Sequence, residues 1–270
     1  MSETQAVQFE TMLLDEPSPG VLVATLNRPD RMNAQTVQMF AELEQLAHDL
    51  SDSDVRTLII TGAGRAFCAG YDLADAEELA DLSPLEMLGR QERAARALAG
   101  IRGVPMPVIA AVNGPAAGGG FALALAADIR LGAPEARFNA AFVRIGLTAG
   151  DLGTSWLLPR LIGPARAAEL AYTGGFVDAE EAERIGLLNR IVPADRLLDE
   201  ALALAAQIAA NSPGGVQLSK RALQANMEAA SFAAALELEN RGQALLTRGE
   251  DMPEALRAFK ERREPRFTGR

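Results

Sequence analysis

Two glycine-rich loops hold the residues of this chain best suited to chemistry. The first, GAGRAFCAGYDL over residues 62–73, follows the apolar run VRTLIIT; the second lies in AVNGPAAGGGFALALAAD over residues 111–128 and follows PVIAAVN. Gly118, Gly119 and Gly120 open a helix without side-chain bulk, so its free N–H groups and the positive end of its dipole can face a ligand oxygen. Donors placed that way stabilise an oxyanion. The Tyr71 amide of the first loop can aim at the same oxygen, and a side chain added at Gly119 is expected to intrude where that oxygen approaches. Close helix-to-sheet packing is the competing explanation of a glycine triplet; two such loops after two core strands are more informative than either alone. Neither loop has the G-x-G-x-x-G spacing or the lysine of a phosphate loop, so a nucleotide phosphate site is not indicated.

The remaining chemistry is restricted by composition. Cys68 is the only cysteine and His48 the only histidine, which excludes an intrachain disulfide and removes most metal ligands and general bases. A Cys68–His48 nucleophile is outweighed by a small loop cysteine and a surface histidine beside Asp49. What is left is carboxylates, hydroxyls, backbone amides or a borrowed cofactor.

These loops need a scaffold, and its elements follow from periodicity. Residues 20–27 (GVLVATLN) and 55–61 read as strands around a helix over 35–50, with Phe40, Leu43, Ala47 and Leu50 on one face and Asn33 as its cap. A helical stretch over 84–101, a strand over 107–113, a short helix over 119–127 and a strand over 129–133 extend this βαβ opening into an α/β fold. Both loops then sit at the carboxyl ends of strands, where open α/β sheets bind ligands. From Asp195 the texture becomes alanine-rich and helical over 195–210, 213–230, 232–246 and 253–263, with no convincing strand. The expected organisation is a core over 1–194 and a helical C-terminal region over 195–270.

At 270 residues, 49% hydrophobic, the chain can bury a sizeable core. Its mean hydropathy is +0.04, no apolar run reaches the roughly 18 residues of a membrane span, and the opening MSETQAVQFE lacks the parts of a secretory signal. A soluble, cytoplasmic protein without a membrane partner is expected. The formal charge of −10 would repel phosphate backbones, so nucleic acid is not an expected partner.

The motifs LNRPDRMNA (26–34), AFCAGYDL, AAVNGPAAGGG, LLPRLIG (157–163), TGGFVDAEEAERIGLLNRIV (173–192) and AFKERREPRFTGR (258–270) together resemble the crotonase, or enoyl-CoA hydratase/isomerase, superfamily over nearly the whole chain. The resemblance implies a spiral of ββα units binding an acyl-CoA thioester, with the C-terminal helices packed between the subunits of a trimer or dimer of trimers. It implies that the Tyr71 and Gly119 N–H groups grip the thioester oxygen. Ala69, Gly70, Asp72, Leu73 and Gly118 then belong to the same binding set. The chain from Asp30 to Met32 would pass the coenzyme's phosphates and adenine, where Arg28 and Arg31 can neutralise phosphate or simply anchor a turn. Coenzyme A enters as part of the substrate, and no metal or redox cofactor is implied.

The sequence departs from that pattern where hydratases of the family carry their two glutamates: it has Ala122 and Phe142. Hydration needs one group to orient water and another to move a proton, and neither residue can do so. Glu135 reads as a solvated loop acid. Phe142 and Leu147 suggest an apolar pocket, and Trp156 a core residue. In IGLTAGDLGTSWLLPR the one carboxylate is Asp151, which resembles the acid of acyl-CoA isomerases and the nucleophilic aspartate of 4-chlorobenzoyl-CoA dehalogenases; it can equally cap a helix beginning near Gly153. The favoured reading is a double-bond isomerase with Asp151 as acid/base. A hydratase, an Asp151-dependent hydrolase or dehalogenase, and a non-catalytic thioester-binding scaffold are the alternatives.

Overall fold

Apolar alternation builds the central sheet. In the computed structural model, which describes residues 9–270, β1 (Met12–Ser18) pairs antiparallel with β2 (Val21–Leu26), and after α1 (Val37–Leu50) the chain enters β3 (Thr57–Gly62), parallel to β2. There follow α2 (Leu73–Ala76), the long α3 (Pro84–Gly103), β4 (Val108–Val112), β5 (Pro115–Ala117), α4 (Gly119–Ala126), β6 (Ile129–Gly132) and β7 (Arg137–Asn139). Next come α5 (Thr154–Ile162), α6 (Pro164–Thr173), β8 (Val177–Asp178), α7 (Ala179–Arg184) and β9 (Arg190–Ile191). The C-terminal region is helical: α8 (Leu197–Ala209), α9 (Pro213–Asn226), α10 (Phe232–Leu246) and α11 (Asp251–Glu261).

The large sheet runs β1-β2-β3-β4-β6-β9 and a small one β5-β7-β8. The passes β4–β5 and β6–β7 each place one strand in each sheet before a helix returns the chain, the ββα unit expected of a crotonase-type α/β fold. From β2 to β6 both faces of the large sheet are buried. Ala24, Leu26, Leu58, Ile60, Val108, Ala110 and Val112 face the core shared with α1, α3 and α4. The alternate residues Val21, Val23, Ile59, Ile109, Ala111 and Leu131 face Leu197, Ala201 and Ala205 of α8, as the two-residue period of a strand requires. Among the described residues no helix is long and apolar enough to cross a membrane.

Several expectations are corrected. β1 escapes a hydrophobicity reading because all of it beyond Met12 is exposed. Thr36, not Asn33, caps α1: its hydroxyl accepts from Met39 N at 3.1 Å. Asn33 is instead buried in a left-handed conformation at φ 55°. Its Oδ1 accepts from Arg28 N at 2.9 Å, and its Nδ2 donates to the Ala63 and Ala66 carbonyls at 2.9 and 2.8 Å. Trp156 is 42% exposed rather than in the core, and the Arg160 guanidinium lies over its ring, 3.2 Å from the centroid. Helix α9 stops at Asn226, four residues before the expected end. The first eight residues of the opening segment, read above for a signal, lie outside the described residues.

The segment leading into β1 is held to α1 by one buried carboxylate. Glu42 accepts from Glu10 N at 2.7 Å, Thr11 N at 2.9 Å and Gln38 Nε2 at 2.9 Å, and also from the Thr11 hydroxyl. Burial pushes its pKa up, but these hydrogen bonds outweigh burial and hold it below the ordinary glutamate value. A depressed folded pKa contributes stability above the unfolded value, and that stability is lost as pH falls through the folded one. Glu42→Ala should therefore cost on the order of 3 kcal/mol in urea unfolding near neutral pH, since it strands the Thr11 donors. The difference from the unaltered chain should shrink in acid; a cost that stayed the same at all pH values would contradict the assignment.

Candidate active site

The two glycine loops are clamped together by short parallel bridges. Residue Cys68 bridges Ala116 of β5, with Cys68 N donating to Pro115 O at 3.1 Å and Ala117 N to Cys68 O at 3.0 Å. Three residues on, Tyr71 bridges Gln35: Gln35 N donates to Gly70 O at 2.7 Å and Asp72 N to Gln35 O at 2.8 Å. In a parallel pair the residue between those two bonds turns its own N–H away from the partner. The Tyr71 N–H is therefore left without a backbone acceptor among the described residues.

Gly119 supplies the second free donor for a different reason. It is the first residue of α4, where an N–H has no intrahelical partner, and no other backbone acceptor takes it up among the described residues. Gly118 turns the chain into the helix at φ 50° and ψ −120°, a conformation that excludes a side chain. Gly70 lies so close that a Cβ there would stand 3.3 Å from Gly119 N and 2.6 Å from Ala117 O. The two N–H groups expected to form an oxyanion hole are thus brought together. The reason offered for glycine at 119 changes, however: a Cβ would first meet the buried Gln35 Oε1, at 2.1 Å. Gln35 Nε2 donates to Gly119 O at 3.2 Å, while its Oε1 is buried without a partner.

Tyr71 and Gly119 both line a cavity of about 260 Å³. Its walls are largely apolar, with Val37, Phe40, Leu73, Leu79, Met87, Ala94, Phe142, Ile145, Leu147 and Leu152 beside Ala69, Gly70, Gly118 and Gly119. The Tyr71 ring stacks on Phe40 with centroids 6.5 Å apart, and burial raises its phenol pKa, as does Asp75, against the opposing pull of Arg90. Phe142 stands against the second glycine loop, its Cε1 3.8 Å from where a Gly118 Cβ would be. Ala122 is fully buried behind the cavity, and Glu135 is exposed in its turn. Residue 142 therefore presents hydrocarbon to the cavity.

Asp151 is the one carboxylate among the described residues lining this cavity. It does not cap α5: Gly153 occupies the cap position, at φ 80°, and no side chain caps it. The Asp151 backbone carbonyl, not its carboxylate, accepts from Thr154 N at 2.8 Å. The side chain turns instead to α3, where Gln91 Nε2 donates to Oδ1. Burial raises the Asp151 pKa above the ordinary value, only partly offset by Gln91 and the Leu152 N–H. A carboxylate poised upward in an apolar cavity is suited to trading a proton.

The other candidates divide into neighbours of the cavity and residues apart from it. Asp72 is buried and paired with Arg28 Nη2 at 2.8 Å, and although burial opposes it, that hydrogen bond holds the carboxyl below its usual range. Arg28 also donates to Ala34 O, so its guanidinium anchors the loop. Arg31 is exposed in the adjacent 3-10 turn. Burial pushes the Cys68 thiol up to about 12, and His48 lies exposed on α1, so neither is a nucleophile pair. The residues that sequence reasoning missed are Gln35, Arg90 and Gln91. The signal was available for the last two: Met87, Arg90, Gln91 and Ala94 form an i, i+3, i+4, i+7 stripe, which puts them on one face of α3.

Residues 16–270 match the family described as Enoyl-CoA hydratase/isomerase. The chain is 45% identical to a protein of Mycobacterium tuberculosis named as a probable enoyl-CoA hydratase, across 95% of this chain and 92% of that one. It is 40% identical to the 1,2-epoxyphenylacetyl-CoA isomerase of Escherichia coli, across 96% and 98%. A crystal structure of an enoyl-CoA hydratase from Bacillus anthracis superposes with a TM-score of 0.91 at 33% identity, covering 97% of this chain and all of the other.

Proposed function

Because the chain belongs to the enoyl-CoA hydratase/isomerase family, whose members act on acyl-CoA thioesters, we propose that it is a double-bond isomerase with Asp151 as the proton carrier. The observation that carries this reading is that Asp151 is the one carboxylate among the described residues lining the cavity; it is supported by Phe142 and Ala122 at the positions where, by the family resemblance, hydratases carry glutamates. In this mechanism the thioester oxygen accepts from the Tyr71 and Gly119 N–H groups. Carboxylate Asp151 removes a proton from the α- or γ-carbon, and the electron pair moves into a dienolate whose oxygen those two donors stabilise. The carboxylic acid so formed returns the proton to the other carbon, so the substrate changes bond position and not composition. No metal or redox cofactor takes part, and coenzyme A enters within the substrate.

On the same proposal, Ala69, Gly70, Leu73, Gly118 and Phe142 bound the acyl group. Asp72 and Arg28 hold the Tyr71 loop, and Arg31 is left to meet the coenzyme's phosphates. The names of several relatives favour hydration instead, and one experiment separates the readings. Incubation with 2-enoyl, 3-enoyl and 3,5-dienoyl thioesters, followed by mass spectrometry, should show unchanged mass with a shifted absorbance. A mass gain of one water would overturn the isomerase reading.

The proposal includes a homotrimer or dimer of trimers. Its support is apolar side chains left uncovered on the C-terminal helices, Phe232 at 78%, Leu245 at 65% and Phe259 at 85% exposure among them. Truncation before Phe232 should yield monomers or aggregate. A well-behaved full-length monomer in light scattering would contradict this assembly.

A further inference from the structure

Gln35 bonds to both halves of the proposed oxyanion hole, although the proton transfer has no use for its amide. Its backbone holds the Tyr71 side: Gln35 N donates to Gly70 O at 2.7 Å and Asp72 N to Gln35 O at 2.8 Å, one bond on either side of Tyr71. Its side chain holds the other side, with Nε2 donating to Gly119 O at 3.2 Å. The amide oxygen leans on the same glycine. A Cβ built on Gly119 would lie 2.1 Å from Oε1, so an α-hydrogen of the glycine points there, and Oε1 is buried without a hydrogen-bond partner. Turning the amide over would not mend this, because Oε1 would then face the Gly119 carbonyl oxygen. The residue is 0% exposed, so it can act only through the donors and not on a ligand.

We infer that Gln35 is a positioning residue: it fixes the spacing of the Tyr71 and Gly119 N–H groups so that both reach one thioester oxygen. This rests on the reading of those two groups as the oxyanion donors of an acyl-CoA isomerase. Packing does not account for a glutamine here. A buried amide oxygen without a partner costs stability, and a methionine of similar volume would fill the same space without that cost. What methionine cannot supply is the Nε2 bond to Gly119. That bond matters because two donors from segments distant in sequence must converge on a single atom, and such groups need to be held to within about 0.5 Å. The Cys68 bridge joins the loops upstream of both donors, through Pro115 and Ala117. Gln35 bonds at the donors themselves, to the two neighbours of Tyr71 and to Gly119.

The test compares the unaltered chain with Gln35→Met and reads the thioester directly. Saturated, unreactive hexanoyl-CoA, isotope-labelled at its carbonyl carbon, is bound to each protein, and infrared difference spectra follow the stretch of that carbonyl, which falls in frequency as donors polarise the bond. On the unaltered protein the band should lie below its position in buffer. On Gln35→Met it should move part of the way back and broaden, because the two donors no longer converge. The kcat for a 3-hexenoyl thioester should fall by about 10–10²-fold, the scale of a misplaced catalytic geometry, with KM within about threefold. The melting temperature should stay level or rise, since the unpartnered oxygen is gone. A glutamine that only supported the fold would give the reverse, a lower melting temperature with band and kcat unmoved. A band that keeps its position in Gln35→Met overturns the inference, whatever happens to kcat. Should Gln35→Met fail to fold, Gln35→Leu is read by the same criteria. If the unaltered protein leaves the carbonyl band where it lies in buffer, the oxyanion assignment fails and the inference falls with it. A shift that is present and equal in both proteins removes only the role of Gln35.

Discussion

An Asp151→Asn protein is expected to melt like the unaltered chain while its isomerisation rate falls by about 10²–10⁴-fold, the usual contribution of a positioned acid or base. Asparagine keeps the shape of the side chain and an oxygen to accept from Gln91 Nε2, but it cannot take a proton. Stability should hold for two reasons. The α5 cap is Gly153, so no capping bond is lost, and the carboxylate removed is one that burial disfavours. Its folded pKa lies above the ordinary value, which means ionised Asp151 costs stability, a cost absent at low pH and fully present once pH exceeds the folded pKa. The variant should accordingly be level with, or slightly more stable than, the unaltered protein near neutrality. Catalysis carries the opposite sign: the base must be ionised, so kcat/KM should decline as pH falls through that raised pKa, above the range of an exposed aspartate. Gln91→Leu removes a donor that favours the carboxylate and should move this acid limb to higher pH. Deuterium exchange at the substrate α- or γ-carbon gives the cleanest readout, because an isomerase exchanges that proton even where net conversion is small. An Asp151→Asn protein that folds and exchanges at the full rate would remove Asp151 from the mechanism.

What made Asp151 hard to read in the sequence also shows where such reading stops. The glycine loops were legible because glycine marks conformations and approaches that few other residues tolerate. Both loops follow strands whose apolar runs are unambiguous, so the meeting of Tyr71 and Gly119 could be expected from local signals. Asp151 had two local readings, helix cap and acid, and only the direction of its side chain separates them. That direction is set by Gln91, sixty residues away in the chain, and no local pattern reports such a partner. The stripe Met87, Arg90, Gln91, Ala94 has helical spacing, yet its mixed polarity resembles a solvent-facing surface until α3 is seen to wall a cavity. β1 failed for a related reason: a strand at the edge of a sheet with little burial lacks the alternation on which strand reading depends. Asn33 was assigned a common role, the cap, while its actual work, tying two loops through three hydrogen bonds, depends on contacts about thirty residues away.

The oxyanion donor at Gly119 can be tested by removing the N–H itself. Gly119→Val is a poor choice, because its Cβ would collide with Gln35 Oε1 and any loss could be steric. Proline at 119 is better suited: the position is the first of α4, where proline is tolerated because its missing N–H has no helical partner to lose. The collision is relieved by Gln35→Ala, which removes the amide and also the unpartnered Oε1. The comparison is then between two proteins in the Gln35→Ala background, one with Gly119→Ala and one with Gly119→Pro. Both add a Cβ against the same space, where the next contact is Leu152 Cδ1 at 3.3 Å, but only alanine keeps the N–H. The alanine protein should retain turnover within about tenfold of Gln35→Ala alone, whereas the proline protein should lose a further 10²–10³-fold in kcat, about 2.7–4 kcal/mol of transition-state stabilisation. The loss should appear in both kcat and KM, since the hydrogen bond strengthens as negative charge develops on the thioester oxygen and the proline Cδ stands where the N–H pointed. Thermal melts and circular dichroism of the pair control for the fold, because proline also restricts Gly118, whose φ of 50° must be preserved. If the two proteins fold alike and turn over alike, the Gly119 N–H does not stabilise the developing oxyanion, and Tyr71 N–H would be left as its sole backbone donor in this mechanism.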